Sequence, residues 1–281
     1  MIPWLASCAE LTGDQGAVVI RDGALREASG VALSPANPDF LWMINDSGFP
    51  AQLHLIDRQG RARGTMKVDG AENRDWEELA TWQHGGRSWL LIGDIGDNAA
   101  QRSQLTIYLL EEPELPEGEG KVAGKAMISR ELIVTYPDGP RDCESMAVQG
   151  DDLYLLTKRD PVPRLYRMSL TGDGGVMTYL GEATRPEAPA GAPIRPFGNQ
   201  PTSMDFSPDG IKAAVLTYRG VFLIERKPAQ SWAEAFASPM KWLGPHHLFQ
   251  AEAVAFVNGG QSVIVTTEGT NSPMISIPLP E

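Results

Sequence analysis

The segment Asp75-Trp76-Glu77-Glu78-Leu79-Ala80 is one copy of a short pattern that recurs along the chain. The pattern is a polar residue, a spacer, a hydroxyl residue or glutamate, a second spacer, an aliphatic residue and usually alanine. There are five copies, and we call their third residues the anchors: Ser29, Glu77, Glu144, Thr202 and Glu252. Successive anchors are 48, 67, 58 and 50 residues apart. This spacing is close to the roughly 40 to 50 residues of a β-propeller blade, with insertions.

Each anchor is followed by a turn rich in Gly, Pro, Asn or Asp and then by an apolar strand. Second strands are predicted at 40–44, 89–92, 153–156, 213–216 and 262–265. Third strands follow at 53–56, 105–109, 165–168, 221–224 and 274–277, and fourth strands at 65–68, 132–136, 176–180 and, more weakly, 241–243. The fifth copy has no fourth strand, and the β-branched run at 17–20 can supply it.

The sequence therefore predicts an all-β fold, a five-bladed β-propeller of four-stranded blades closed by the N-terminal strand. We expect one domain over 1–281, with blades that begin near residues 27, 75, 142, 200 and 250. A helix is expected only at 231–236, and an acidic insert at 111–125 lengthens the second blade. An open sandwich and a six-bladed ring remain alternatives.

Composition excludes several classes of protein. The 281 residues are 42% apolar, enough for a packed core, and no apolar run approaches the roughly 18 residues of a membrane helix. The formal net charge of −12 disfavours nucleic acid or an anionic membrane as a partner. We expect a soluble monomer that binds a small molecule.

The two cysteines do not fix the compartment. Leu5-Ala6-Ser7-Cys8 resembles a lipoprotein cleavage box, but only seven residues precede Cys8 and none is basic, so no working signal peptide is expected. The chain could be cytoplasmic or an exported protein already trimmed. Strand alternation turns Cys143 into the sheet, which favours an inert core residue over a nucleophile.

In a propeller the first strand of every blade lines the axis, so the five anchors should meet there. Three carboxylates about 6 Å apart would repel by roughly 3 kcal/mol per pair at an effective dielectric near 20. Oxygen ligands without His or Cys favour one axial calcium ion bound by Ser29, Glu77, Glu144, Thr202 and Glu252. The flanking residues are Glu27, Asp75, Asp142, Gln200 and Gln250. The alternative is that arginines, in particular Arg74 and Arg141, neutralise the ring.

The ends of the second strands should surround the anchors and form a mouth. For a calcium-dependent hydrolase, Asp46 and Asp94 are the candidate general bases. The candidate substrate-binding residues are Asn45, Arg74, Asp97, Asn98, Arg141, Lys158, Arg159, Tyr218, Arg219 and Glu268. Alternatively, Asp46 and Asp94 cap turns, and the basic residues only balance the acids. No serine-elbow or Walker-type motif is present, and the four histidines lack metal-ligand spacing at the anchors.

Several motifs resemble those of a mostly exported bacterial propeller family, related to the propellers called SdiA-regulated or esterase-like. They are Asn73-Arg-Asp-Trp-Glu-Glu78, Gly93-Asp-Ile-Gly-Asp-Asn98, Arg141-Asp-Cys-Glu-Ser-Met146, Thr202-Ser-Met-Asp-Phe-Ser-Pro-Asp-Gly210 and Glu252-Ala-Val-Ala-Phe256. The resemblance covers nearly the whole chain from about Glu27, and it implies an exported or periplasmic location.

The anchor order Ser, Glu, Glu, Thr, Glu also resembles the axial calcium ring of the soluble apyrases, the five-bladed calcium-activated nucleotidases. This resemblance implies calcium and phosphoanhydride hydrolysis. The first-blade motif keeps Asp46 but lacks the arginine of the apyrases, and the second blade lacks their lysine, whereas Lys158-Arg159 resembles their paired arginines. Nucleotide specificity is therefore not expected to carry over.

These patterns predict a calcium-binding propeller that hydrolyses an anionic ester, phosphoanhydride or lactone at its mouth. The alternative is a non-catalytic binding module in which the axial calcium is structural, because the propeller fold serves unrelated functions.

Overall fold

The computed structural model describes residues 17–280, which form five β-sheets arranged in a ring. Each blade has four strands that follow one another outward from the axis, and the innermost strands contact each other around the ring. The predicted five-bladed β-propeller is confirmed, and the sandwich and six-bladed alternatives are excluded. No helix within these residues has the length and apolar character needed to cross a bilayer.

Strand β1 is Val18–Val19. Blade 1 consists of β2 (Ala28–Leu33), β3 (Phe40–Asn45), β4 (Gln52–Asp57) and β5 (Ala62–Asp69). Blade 2 consists of β6 (Trp76–His84), β7 (Arg87–Asp94), β8 (Leu105–Glu111) and β10 (Arg130–Thr135), and β9 (Lys125–Met127) precedes its last strand. Blade 3 consists of β11 (Cys143–Gln149), β12 (Asp152–Thr157), β13 (Arg164–Ser169) and β15 (Thr178–Glu182), and β14 (Gly174–Val176) precedes its last strand.

Blade 4 consists of β16 (Pro201–Phe206), β17 (Lys212–Thr217), β18 (Gly220–Glu225) and β19 (Lys241–Gly244), with helix α1 (Trp232–Phe236) before β19. Blade 5 consists of β20 (Ala251–Val257), β21 (Ser262–Thr267) and β22 (Pro273–Pro278), and a short 3-10 turn (Asn258–Gly260) joins its first two strands. Strand β1 completes this blade.

The ring is closed by the N-terminal strand, as predicted. Val18 lies opposite Met274 and Val19 opposite Pro273 in the antiparallel pair β1–β22. The side chain of Ile20 is buried between blades 5 and 1. The closure pairs the outer edge of the last blade, so that β22 is not left as an open edge strand.

Two short strands extend neighbouring blades, which the sequence did not predict. Strand β9, at the end of the acidic insert, pairs in parallel with β5 of blade 1, and β14 pairs in parallel with β10 of blade 2. The predicted fourth strand at 176–180 is therefore wrong at its start, because Val176 belongs to β14. Gly174 allows this crossing, since a Cβ there would lie 2.5 Å from the carbonyl oxygen of Ile133.

The core consists of five apolar clusters, one between each pair of adjacent blades. Trp42 and Trp76 are fully buried between blades 1 and 2. Helix α1 begins at Ser231, which forms a capping box with Glu234, and buries Trp232 and Phe236 in the cluster between blades 3 and 4. These clusters fix the blade angles, and therefore the positions of the inner strands that carry the anchors.

Candidate metal centre

All five innermost strands contain a β-bulge at the anchor. The register shifts between Ala28 and Gly30, Trp76 and Glu78, Cys143 and Ser145, Pro201 and Ser203, and Ala251 and Ala253. A bulge breaks the strict alternation of a strand and re-aims the side chain at that position. All five anchors are buried, and Glu77 interacts electrostatically with both Glu144 and Glu252. The structure therefore brings the three anchor carboxylates together at the axis.

Lys158 occupies one side of this ring. Its ammonium group is ion-paired with Glu144, lies 4.0 Å from Glu252 and donates a hydrogen bond of 3.1 Å to the hydroxyl of Tyr218. Tyr218 in turn donates to Glu252 at 2.6 Å. Burial disfavours the charged amine, but Glu144 and Glu252 raise the pKa of Lys158 above its ordinary value. Lys158 is thus a buried cation of the ring, with 3% of its surface exposed, instead of a clamp open to substrate.

The two hydroxyl anchors bridge neighbouring blades. Ser29 donates 2.8 Å to the carbonyl oxygen of Trp76, and Thr202 donates 2.8 Å to that of Ala251. Each acceptor is the residue just before the anchor of the next blade. These bonds hold the bulges of blades 1 and 2, and of blades 4 and 5, against each other.

The opposite side of the ring contains a group of carboxylates with the spacing of a metal site. One carboxylate oxygen each from Asp46, Asp75 and Glu77 lies within 4.8 Å of the others, and we call these residues the acidic triad. Asp46 follows β3 in blade 1, and Asp75 and Glu77 lie at the start of β6 in blade 2. Asp46 and Asp75 are partly exposed at the mouth, whereas Glu77 is buried. These three residues, of which only Glu77 is an anchor, could hold a metal ion.

Electrostatics make the fully ionised triad unfavourable without a cation. Burial, followed by the charges of Asp75, Glu252 and Glu27, raises the pKa of Asp46 to about 6. Burial also raises the pKa of Asp75, and burial together with Glu144 and Asp46 raises that of Glu77 well above its ordinary value. Each of these shifts favours the neutral acid, and a bound cation would reverse it.

Gly96 packs directly against the triad. A Cβ at this position would clash with the carboxylates of both Glu77 and Asp75. The main chain of the loop after β7 therefore forms one wall of the site, and glycine is needed because of this close approach.

Asp94, one of the two predicted bases, is fixed in an ion pair. It pairs with Arg102 at 2.6 Å, accepts the backbone N–H of Arg74 at 3.1 Å, and is 2% exposed. Asp97 accepts the backbone N–H groups of Gln101 and Arg102, so it caps the loop. Asp94 therefore bonds residues distant in sequence and not a local turn. Asp46 accepts the backbone N–H of the adjacent Ser47, as the turn-capping alternative expects, and also lies in the triad.

The remaining mouth residues of blades 2 and 3 are also paired. Asp142 accepts from Arg159 at 2.6 Å and from the backbone N–H of Asp97 at 3.0 Å, and Arg159 also bonds Asn98. Arg141 points away from the anchors and pairs with Asp138 and Asp160. The predicted neutralisation of the ring by arginine is therefore wrong for Arg141, and among residues 17–280 Arg74 forms no side-chain ion pair.

Five further predicted residues lie outside the triad. Asn45 accepts the N–H groups of Arg26 and Glu27 and donates to the carbonyl of Ala24, so it holds the chain that enters blade 1. Gln250 donates to Glu268 at 2.7 Å. Burial and a hydrogen bond with Glu252 raise the pKa of Glu268. Arg219 and Gln200 line a separate pocket on blade 4.

The side chain of Glu78 forms a hydrogen bond across the axis, next to the anchors. The sequence analysis did not predict this contact. The carboxyl group of Glu78 accepts a 2.5 Å hydrogen bond from Ser203 of blade 4, two blades away. Burial raises its pKa well above the ordinary value. The signal in the sequence is the pair of adjacent acids Glu77-Glu78. Strand alternation assigns Glu78 to the face opposite Glu77, but the bulge turns both side chains toward the centre.

Cys143 is buried, and burial raises the pKa of its thiol to about 12, which leaves it a poor nucleophile. Cys8 lies outside the described residues.

No protein-family model and no curated protein sequence matches this chain. Solved structures do resemble it. The PQQ-bound aldose sugar dehydrogenase of Streptomyces coelicolor is 14% identical, with a TM-score of 0.51 over 93% of this chain and 97% of that chain. A nidogen/laminin complex is 13% identical, with a TM-score of 0.49 over 91% and 77%. Hydrazine synthase of Kuenenia stuttgartiensis is 12% identical, with a TM-score of 0.43 over 86% and 56%. The likeness to the aldose sugar dehydrogenase, at 14% identity, shows the β-propeller fold alone.

Proposed function

We propose that this protein binds one calcium ion at the acidic triad and hydrolyses a small anionic ester, phosphoanhydride or lactone at the mouth. The observation that carries the proposal is the meeting of Asp46, Asp75 and Glu77 from two blades within 4.8 Å. The resemblance of the anchor order to the soluble apyrases agrees with calcium as the ion.

The distribution of positive charge supports a cation at the triad. Lys158 pairs with Glu144 and approaches Glu252, and so compensates the blade 3 and blade 5 side of the ring. Within residues 17–280, no lysine or arginine lies within ion-pair distance of Asp46, Asp75 or Glu77. Binding of a divalent ion would favour the ionised form of all three carboxylates, because its charge would offset the burial and mutual repulsion that raise their pKa values.

The ligand chemistry supports calcium in particular. Three carboxylates are hard oxygen ligands, and calcium accepts six to eight oxygens in flexible geometry, whereas magnesium demands a near-ideal octahedron. Asp46 and Asp75 face the mouth. An ion held there keeps positions for water and substrate, since three side chains do not complete its coordination.

A cavity of about 430 Å³ beside the triad supports a small anionic substrate. It is lined by two arginines, two acids and three other residues: Arg74, Arg102, Asp75, Asp97, Asn98, Ala99 and Gln101. Arg74 is exposed and would bind negative charge, while the Asp94–Arg102 pair holds the wall in place. When bound, calcium would polarise a phosphoryl or carbonyl oxygen and lower the pKa of a water.

One set of contacts favours the second candidate, a binding module with a structural ion. Asp94, Asp142 and Glu144 are each committed to a basic side chain, so beyond the triad the mouth offers few unpaired acids for proton transfer. An ion at the triad would then only fix blades 1 and 2.

The metal test uses the full chain treated with a chelator and titrated with calcium and magnesium by calorimetry. We expect one site that prefers calcium, a melting temperature that rises with calcium, and at least a tenfold loss of affinity in Asp75→Asn and in Glu77→Gln. Glu117→Gln, at an exposed position, is the matched control and should bind normally. No heat of binding together with an unmoved melting temperature would refute the calcium site.

The activity test uses nucleotides, phosphomonoesters, aryl esters and lactones, each with calcium and with EDTA. Hydrolysis that requires calcium and is lost in Arg74→Met at unchanged calcium affinity would support the enzyme. Calcium binding without turnover of any substrate would favour the binding module.

A further inference from the structure

A second pocket on the mouth face of blade 4 concentrates positive charge in an acidic protein. It has a volume of about 380 Å³ and lies between the loop 183–200 and the end of β17. Three of its lining residues are arginines, Arg185, Arg195 and Arg219, and its lining contains no acidic residue. We call it the arginine pocket. The chain has a net charge of −12, so three arginines without an acidic neighbour in one pocket are unusual for its surface.

The three guanidinium groups have no carboxylate partner. Within residues 17–280, none of them forms an ion pair at 4.0 Å or less. Arg219 is held in place by bonds to the carbonyl of Pro193 at 2.9 Å and to Asn199 at 3.2 Å. The backbone of Gly198 packs on its side chain, where a Cβ would clash. Arg219 is therefore positioned, and its charge is not compensated by an acid.

Two buried polar atoms at the pocket have no hydrogen-bond partner within residues 17–280. They are Nε of Arg195, a donor, and Oε1 of Gln200, an acceptor. Buried polar atoms in folded proteins are nearly always paired with protein, water or ligand. A ligand oxygen could accept from Arg195, so the pocket has hydrogen-bonding capacity that the fold itself does not use.

The rim of the pocket is apolar and exposed. Phe197 is 67% exposed and Ile194 is 90% exposed, and the ring of Phe249 lies 5.8 Å from the guanidinium carbon of Arg195. Phe197 also has a positive φ of 54°, a conformation that is unfavourable for a bulky residue. The Phe197 ring is exposed and its backbone conformation is unfavourable, so this residue does not stabilise the fold. These two features point to a role in contact with a ligand.

From these observations we infer that the arginine pocket is a binding site for a small amphipathic anion, a carboxylate or phosphate carried on an aromatic or apolar body. The arginines would bind the anionic group in bidentate fashion, and Phe197 and Phe249 would contact the apolar body. The site involves the loop between blades 3 and 4, the end of β17 and Phe249 before blade 5, whereas the acidic triad involves blades 1 and 2. The inference therefore does not depend on the proposed calcium site.

The test measures binding of phenyl phosphate and benzoate to the full chain in EDTA, by calorimetry. Inorganic phosphate, acetate and benzyl alcohol are the single-feature probes. We expect at least one aryl anion to bind at least tenfold more tightly than inorganic phosphate, acetate and benzyl alcohol. Whichever aryl anion binds more tightly identifies the preferred head group, and either preference supports the site.

Variants separate the two halves of the pocket. Arg185→Met with Arg195→Met should weaken binding of the aryl anion at least tenfold, whereas Arg21→Met, at an exposed position next to blade 1, should not. Phe197→Gly should raise the melting temperature, because glycine accepts the positive φ, and yet reduce the preference for the aryl anion over its inorganic counterpart. Absence of saturable binding of both aryl anions, or unchanged affinity in the double arginine variant, would overturn the inference.

Discussion

The ammonium group of Lys158 is ion-paired with the carboxylate of Glu144 at the axis of the propeller, where the sequence predicted a metal ion. The pair is almost completely buried, and a second carboxylate, Glu252, lies 4.0 Å from the same nitrogen. The centre therefore has two unequal sides, one compensated by a lysine within the chain and one, the acidic triad, that is not.

Replacement of Lys158 by methionine should destabilise the protein by about 3 to 5 kcal/mol, because Glu144 and Glu252 would remain buried without a cation. Calcium should then raise the melting temperature of Lys158→Met more than that of the unsubstituted protein, since the five anchors become available to an ion. Thermal unfolding with and without calcium measures both effects, and Lys121→Met, at an exposed position, is the control. A Lys158→Met protein with ordinary stability in EDTA would contradict the assigned role of the ion pair.

The substitution Gly96→Ala should lower calcium affinity at least tenfold, because the added methyl group would displace the carboxylates of Glu77 and Asp75. Calorimetric titration gives the affinity, and circular dichroism checks that the sheet is retained. Gly23→Ala is the matched control, since a Cβ at Gly23 meets no atom within 4 Å. Equal calcium affinity in both variants would show that the ion, if bound, does not lie at the triad.

The blades were predictable because each one repeats the same local pattern. A turn and an alternating apolar strand follow every anchor, so the strand order and the closure by residues 17–20 could be derived from spacing alone. The crossings of β9 and β14 to the preceding blades could not, because they depend on tertiary packing and on glycines such as Gly174 that let two backbones approach.

The site was predictable in position but less so in detail. The repeat brings the anchors to the axis, yet strand alternation cannot foresee a bulge, which turns both Glu77 and Glu78 inward. Nor does the sequence show which cation meets which acid. Lys158 and Arg159 are adjacent, but Lys158 points into the ring and Arg159 pairs with Asp142 at the rim.

The Glu78–Ser203 hydrogen bond should couple blades 2 and 4 energetically. Glu78→Ala should cost about 3 kcal/mol, because the hydroxyl of Ser203 and the N–H of Met204 lose a buried acceptor. A double-mutant cycle with Ser203→Ala, measured by denaturant unfolding, should give a coupling of about 1 kcal/mol or more. Ser169→Ala, at an exposed position, is the control, and its change in the free energy of unfolding should add to that of Glu78→Ala without coupling. Additivity in both cycles would mean that the cross-axis bond does not contribute to stability.

Asp205 should make stability fall as pH rises from about 4 to about 7. It lines a cavity of about 380 Å³ at the end of the axis opposite the mouth, and its carboxylate accepts the N–H groups of Phe206 and Phe256. Burial nevertheless raises its pKa from 3.8 to about 7. Between these two values the folded protein holds a proton that the unfolded chain has released, so each rise in pH favours unfolding. The loss begins near the unfolded pKa, is complete near the folded pKa, and is on the order of a few kcal/mol.

Asp205→Asn cannot titrate, so its stability relative to the unsubstituted protein should increase between pH 4 and pH 7 and then level off. Melting temperatures of both proteins in EDTA across this pH range measure this difference in stability. Because the two proteins share all other acidic groups, the contributions of those groups cancel in the difference. The exposed Asp173→Asn should show no such trend against the unsubstituted protein. A difference between Asp205→Asn and the unsubstituted protein that stays constant with pH would mean that Asp205 titrates normally. In that case the two N–H groups that face its carboxylate would offset the effect of burial on its pKa.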